Sequence, residues 1–334
     1  MSYISTVKEG INTINKNWQL LVVQLLTLGL SGISFFIIVG FPIAIAFILF
    51  GLDLTEILRL KDLVSVFRGS AELLNKYFAM ALIILLSLII YLSFIFVIWV
   101  FALGGTIGVI TKSILNEIER FSLKTFVSEG KHFFFTLAIF SSIIGAVFLA
   151  IAFFLGILVG GASSIIDEAK SYEAIFGLFI SFFCSLVLMS VGIALILITL
   201  SAATFGVAHL GFYRSRAMTA VKETVKYLYS KPAAVGFYTA LLVAYIVICF
   251  IVILIGAPLT FIPVAGPLIS LPYQLMTYMV QGYLSLVMLA CIFHYYKGDR
   301  PVQPLLSTVA QDISGNRADE PAPPPDRLEG TQAN

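Results

Sequence analysis

The chain predicts an all-α fold, a polytopic bundle of transmembrane helices, and three observations carry that prediction. Hydrophobic residues make up 60% of its 334 positions and charged residues 11%, against about 45–50% and about 25% in an average soluble domain. A water-soluble fold cannot hide so much apolar surface, whereas a bilayer is a solvent for it. The apolar residues also lie in long, nearly charge-free blocks, at 18–52, 77–110, 133–166, 174–213, 233–259 and 262–296. About 20 helical residues cross a hydrocarbon core of about 30 Å, and backbone groups unpaired in lipid are costly enough that such blocks must be helical. Thirdly, the short alternating segments of a β-barrel are absent.

The first block follows a short charged stretch, Lys8–Lys16, and is far longer than a signal-peptide core of about 7–15 residues. It is therefore expected to stay in the membrane. Val7-Lys8-Glu9, followed by Asn17-Trp18, recurs as Val221-Lys222-Glu223 followed by Lys231-Pro232. Looser copies read Phe67-Arg68-Gly69 with Asn75-Lys76-Tyr77, and Val127-Ser128-Glu129-Gly130-Lys131-His132. Each is a short amphipathic stretch running into an apolar block, which predicts elbow helices at the membrane surface, apolar side in lipid and charges towards water. Four such copies predict four helix-plus-hairpin repeats.

The hairpins need turns, and Gly and Pro supply them. Gly40-Phe41-Pro42 interrupts the first block and Gly104-Gly105 the second. Gly160-Gly161 and the acidic segment Asp167–Glu173 end the first helix of the third unit, and Gly256 through Pro267 divides the fourth. About eight spans result, in units at about 1–60, 61–120, 121–216 and 217–297. Six is the alternative, if the piece after Gly105 does not cross and residues 18–52 form one long helix. Both counts are even, so both termini share a face. In the eight-span arrangement every Lys and Arg except Lys170 falls on that face, which the positive-inside rule makes cytoplasmic. Trp99 lies about 33 Å along a helix from Tyr77, which supports one complete pass there. The chain is thus expected to be multi-pass, with both termini cytoplasmic. Residues 298–334, rich in Pro, acids and small polar residues, cannot build a core and predict a disordered cytoplasmic tail.

Chemistry is sparse. A net charge of +2 without basic runs or a nucleic-acid motif excludes nucleic acid as a partner. Cys184, Cys249 and Cys291 are scattered within apolar blocks, the setting of inert thiols. His132, His209 and His294 have neither a second His at i+4 nor a Cys pair. No catalytic centre, cofactor site or metal site is expected. The span centres hold no ionisable residue, which argues against an ion-coupled transporter.

Two patterns remain. Gln274, Tyr278, Gln281 and Ser285 fall at i, i+4, i+7 and i+11, on one face of the last span. They read either as interhelical hydrogen-bonding groups or as the wall of a polar cavity. Gly156/Gly160 is a GxxxG, and Ser141/Gly145 and Ala202/Gly206 repeat the small-xxx-small spacing that lets helix backbones approach. The segment from Gly256 to Pro272, with four prolines and no charge, reads equally as a re-entrant stretch or an external turn.

The repeated elbows, typified by Val7-Lys8-Glu9-Gly10 and Asn15-Lys16-Asn17-Trp18, resemble those of the membrane domain attached to some bacterial glycerophosphodiester phosphodiesterases, and of related stand-alone inner-membrane proteins. The resemblance covers about residues 1–297 and implies a helical membrane domain. In the attached form the catalytic barrel is a separate soluble domain with its own metal-binding acids and histidines. This chain has no such domain, so neither the activity nor any functional residue carries over. The function expected is that of a non-enzymatic inner-membrane protein that handles lipid or supports a membrane complex, with membrane lipids and itself or another membrane protein as partners. The alternative is a transporter or channel subunit using the polar face of the last span.

Overall fold

A computed structural model describes residues 3–50, 70–256, 258 and 265–300. The tail from residue 301, the Phe67-Arg68-Gly69 elbow and most of the 257–264 linker lie outside the described residues. Every described element of regular structure is helical. In chain order these are α1 (Tyr3–Lys16), α2 (Gln19–Phe35), a π-helical turn (Phe36–Gly40), α3 (Phe41–Phe50), α4 (Ser70–Ile114), α5 (Leu123–Tyr172), α6 (Ala174–Tyr213), α7 (Ala217–Ser230), α8 (Pro232–Gly256) and α9 (Ala265–Asp299).

Six passes are long and apolar enough to cross a membrane: α2 with α3, then α4, α5, α6, α8 and α9. Each apolar block of the sequence is thus one helix, and the count is six among the described residues where the turn signals predicted eight. The reason lies in what the glycines do. At Gly40-Phe41-Pro42 the chain continues as helix through a π-turn, with the Phe41 N–H donating to Phe36 O. Pro42 cannot donate a backbone hydrogen bond, and a one-residue bulge just before it lets the helix run on. Gly104 and Gly105 are contact residues. A Cβ on Gly104 would stand 3.3 Å from Gly130 O, and one on Gly105 would stand 2.5 Å from the Phe126 ring. They let α4 and α5 approach. Gly160-Gly161 also stays helical, and α5 ends within the acidic segment, at Tyr172.

The elbows divide in the same way. α1 and α7 are separate 14-residue amphipathic helices, set off from the next span by Asn17-Trp18 and by Lys231. In the two looser copies the described residues, 70–77 and 127–132, belong to the long helices α4 and α5. Among the described residues the first two units hold one pass each, and the third and fourth hold two each, α5 with α6 and α8 with α9.

Packing is concentrated at one end. The buried core joins Ile14 and Leu20 to the C-terminal part of α4 (Val100–Ile114), the N-terminal part of α5 (Phe126–Phe140), the C-terminal part of α6, all of α7, the start of α8 and the end of α9. At 1.5 Å per residue, α4 and α5 are roughly 68 and 75 Å long, more than twice the hydrocarbon thickness. Their other halves, with those of α6, α8 and α9, carry mostly exposed apolar side chains. The molecule has a packed end and an open end.

Candidate functional site

Polar side chains gather at the packed end, where they brace helices against one another. Glu129 of α5 is 5% exposed. Its carboxylate accepts from Lys112 Nζ of α4 at 2.8 Å and from Arg214 Nη2, just after α6, at 3.3 and 3.4 Å. A buried charge must be paired, and here one anion holds two cations from two other helices. Gly108 makes the approach possible, since a Cβ there would lie 2.3 Å from Glu129 Cβ. Arg214 takes the left-handed conformation, φ 47°, that closes α6.

The histidines serve as further braces. His209 Nδ1 pairs with Tyr296 Oη at 2.9 Å, joining α6 to α9. His294 Nδ1 lies 3.2 Å from Glu9 Oε2 and its Nε2 lies 2.9 Å from Thr13 Oγ1, clasping α1 onto α9. Asn17, fully buried at the α1–α2 break, donates to Thr13 O at 2.9 Å and Ser113 Oγ at 3.0 Å. Lys297 Nζ donates to Ile114 O at 2.8 Å, at the carbonyl end of α4. Lys231 pairs with Asp299, and Arg300 with Glu223 at 3.5 Å. Burial, with the Asp299 carboxylate nearby, pushes the Tyr227 phenol up, so it stays neutral. Among the described residues no cluster of His, Cys, Asp or Glu could hold a metal ion.

Three recesses flank α1. On one side, polar clefts of about 540 and 720 Å³ share Lys16, Ser113 and Asn116. On the other, a recess of about 740 Å³ opens between α1 and α8. Its α1 wall is Tyr3, Ile4, Val7, Lys8 and Ile11, and its α8 wall includes Ala233, Gly236, Phe237 and Ala240. The two walls exist for different reasons. α1 turns Thr6, Gly10, Thr13 and Ile14 into the protein; a Cβ on Gly10 would stand 2.5 Å from Cys291 Sγ. That leaves Ile4 and Ile11 facing outward. On α8, small residues leave room in front of it. At the inner edge Tyr3 stacks on Phe237, with ring centroids 5.5 Å apart.

The residues singled out in the sequence fall mostly elsewhere. Gln274, Tyr278 and Ser285 are exposed and Gln281 is half-buried. Ser285 Oγ donates back to Gly282 O of its own helix at 2.8 Å. None of the four lines the recesses described here. Gly156 and Gly160 are exposed, with nothing within 4 Å of a built Cβ, whereas Gly206 is buried against the Phe140 ring at 2.5 Å and Ala202 is half-buried beside it. The same spacing therefore marks a helix contact in α6 and an open face in α5.

Two features were not singled out from the sequence. The Lys112–Glu129–Arg214 cluster joins the ends of three helices and has no sequence spacing of its own. The α8 wall did leave a trace, since Ala233, Gly236, Ala240 and Ala244 follow one another at intervals of three and four. No protein-family model, curated protein or solved structure matches this chain.

Proposed function

We propose that this is a non-enzymatic inner-membrane protein that handles lipid, with its packed end and both termini in the cytoplasm. The observation that carries the reading is the recess between α1 and α8, an apolar cavity beside a membrane-spanning helix, with Lys8 as the one charged residue in its lining. An apolar cavity next to a span borders acyl chains, and its contents are drawn from them. The polar groups of the packed end support the same reading, because they are engaged in holding helices together.

Orientation rests on charge. Among the described residues, Lys8, Lys16, Lys112, Arg120, Lys124, Lys131, Arg214, Arg216, Lys222, Lys226, Lys231, Lys297 and Arg300 belong to the packed end. Only Lys76 and Lys170 stand at the other. Lys76, grouped with the first set by the eight-span reading, is separated from Lys112 by roughly 54 Å of α4 at the helical rise. The asymmetry still points the packed end to the cytoplasm.

The test is lipid retention. Protein taken from a phospholipid bilayer into mild detergent should keep about one phospholipid per chain through size-exclusion chromatography. A lipid content no higher than that of an unrelated helical membrane protein of similar size would sink the reading.

A further inference from the structure

We propose that the occupant is a single anionic phospholipid, its phosphate at Lys8 and the start of α8, and one acyl chain laid along the outer face of α8. This rests on the lipid-handling reading and names the site and the chemistry.

The recess does not stop at α1. A second hollow of about 930 Å³ shares Gly236 and Ala240 with it and continues past Ala244 to Val247, with Ile198 of α6 on its other side. The two make one furrow along α8, floored by Ala233, Gly236, Ala240 and Ala244. From Ala233 to Val247 it is roughly 21 Å long at 1.5 Å per residue. One leaflet is about half of the 30 Å hydrocarbon core. The furrow is thus long enough for one acyl chain and its glycerol linkage, and apart from Tyr3, Lys8 and Thr239 it is walled by apolar residues.

The charge at its mouth selects the headgroup. Lys8 is exposed and has no ion-pair partner among the described residues. Ala233, in the first turn of α8, lines the same recess, so the positive end of a 25-residue helix dipole lies at the same mouth. A phosphodiester answers both positive groups, while its chain answers the apolar furrow. An apolar helix from a second copy would cover the furrow and leave Lys8 without a counter-charge.

Gly236 makes the proposal testable without damage to the fold, because a Cβ there meets nothing within 4 Å. The full chain is reconstituted in nanodiscs of equal phosphatidylglycerol and phosphatidylcholine, released into detergent, and its retained lipid weighed by native mass spectrometry. Wild type should keep one phospholipid, with phosphatidylglycerol favoured. Lys8→Gln should cut that preference about fivefold, the effect of one surface lysine on an anionic lipid. Gly236→Phe should cut retention of both lipids with an unchanged melting temperature in lipid-free detergent. Retention equal in all three proteins would overturn this site and leave the lipid-handling reading standing. No retained lipid in wild type would overturn both. A dimer that Gly236→Phe dissociates, with lipid content unaffected, would make the occupant a second copy and refute the proposal.

Discussion

The two halves of α5 are built from similar residues and live in different surroundings. Near its start Phe133, Leu137 and Phe140 are buried in the common core, and Glu129 holds two cations. Some ten residues further on, Leu149, Phe153, Phe154 and Ile157 are exposed, and Gly156 and Gly160 have open space before them. Hydropathy does not separate the halves. What separates them is that the first half meets α4, α6 and α7 at once, while the second continues chiefly beside its hairpin partner. In a bilayer an exposed leucine is at no disadvantage, because lipid tails are as apolar as a protein core. Association there needs close packing and polar bridges. The packed end has both, in contact glycines and in charge pairs; the open end offers its surface to lipid.

That difference is open to attack by mutation. The largest effect is expected at Glu129. Replacing it with Ala leaves Lys112 and Arg214 crowded together without their anion, where breaking a buried pair costs about 3–5 kcal/mol. The low end applies, since the Arg214 side chain is 41% exposed and keeps water. Reversible unfolding in mixed micelles would measure it. Asp167→Ala in the same helix, at an exposed pair, should shift stability by less than about 1 kcal/mol. Equal losses at the two sites would mean that both ends are braced alike.

Next comes the same substitution at two points on one helix. Leu137→Ala removes a fully buried side chain and should cost about 2–5 kcal/mol. Leu149→Ala, at a residue 73% exposed, leaves no cavity inside the protein and should cost under about 0.5 kcal/mol. A substantial loss at Leu149 would place a partner helix on the open face.

Glycines should differ in sign. Gly108→Ala forces a methyl into Glu129 and should destabilise by about 1–3 kcal/mol. Gly160→Ala meets open space and should stabilise α5 by up to about 1 kcal/mol through helix propensity alone. Loss of stability at Gly160 would show that its face is covered in the membrane.

The smallest effect concerns the clasp on α1. Thr13→Val removes the hydroxyl that pairs with His294 and should cost about 1 kcal/mol. Ser163→Ala removes only a bond from Ser163 Oγ to Val159 O within its own helix, and its thermal unfolding should coincide with that of wild type. An unchanged Thr13→Val protein would mean that Gly10 against Cys291, and not the polar clasp, holds the elbow.

The all-helical class, the membrane as solvent and the six apolar blocks were legible in the sequence, because hydropathy and length are local properties that lipid reads directly. The sequence also placed the breaks at Asn17-Trp18 and Lys231, where polar residues stand directly before an apolar run. It misread Gly104-Gly105 and Gly40-Phe41-Pro42 as turns. A glycine that ends a helix and a glycine that admits a neighbouring helix carry the same letter, and only Phe126 and Gly130, more than twenty residues away, distinguish them. The small-residue spacings of Gly156/Gly160 and Ala202/Gly206 were equally ambiguous until Phe140 was found against one and nothing against the other. Which end packs, which charges meet at Glu129, and that Ile4 and Ile11 of α1 face outward beside α8 emerge only when the helices come together. Those outcomes depend on residues from separate helices arriving at one place, and an apolar block in the sequence does not record what it will lie against.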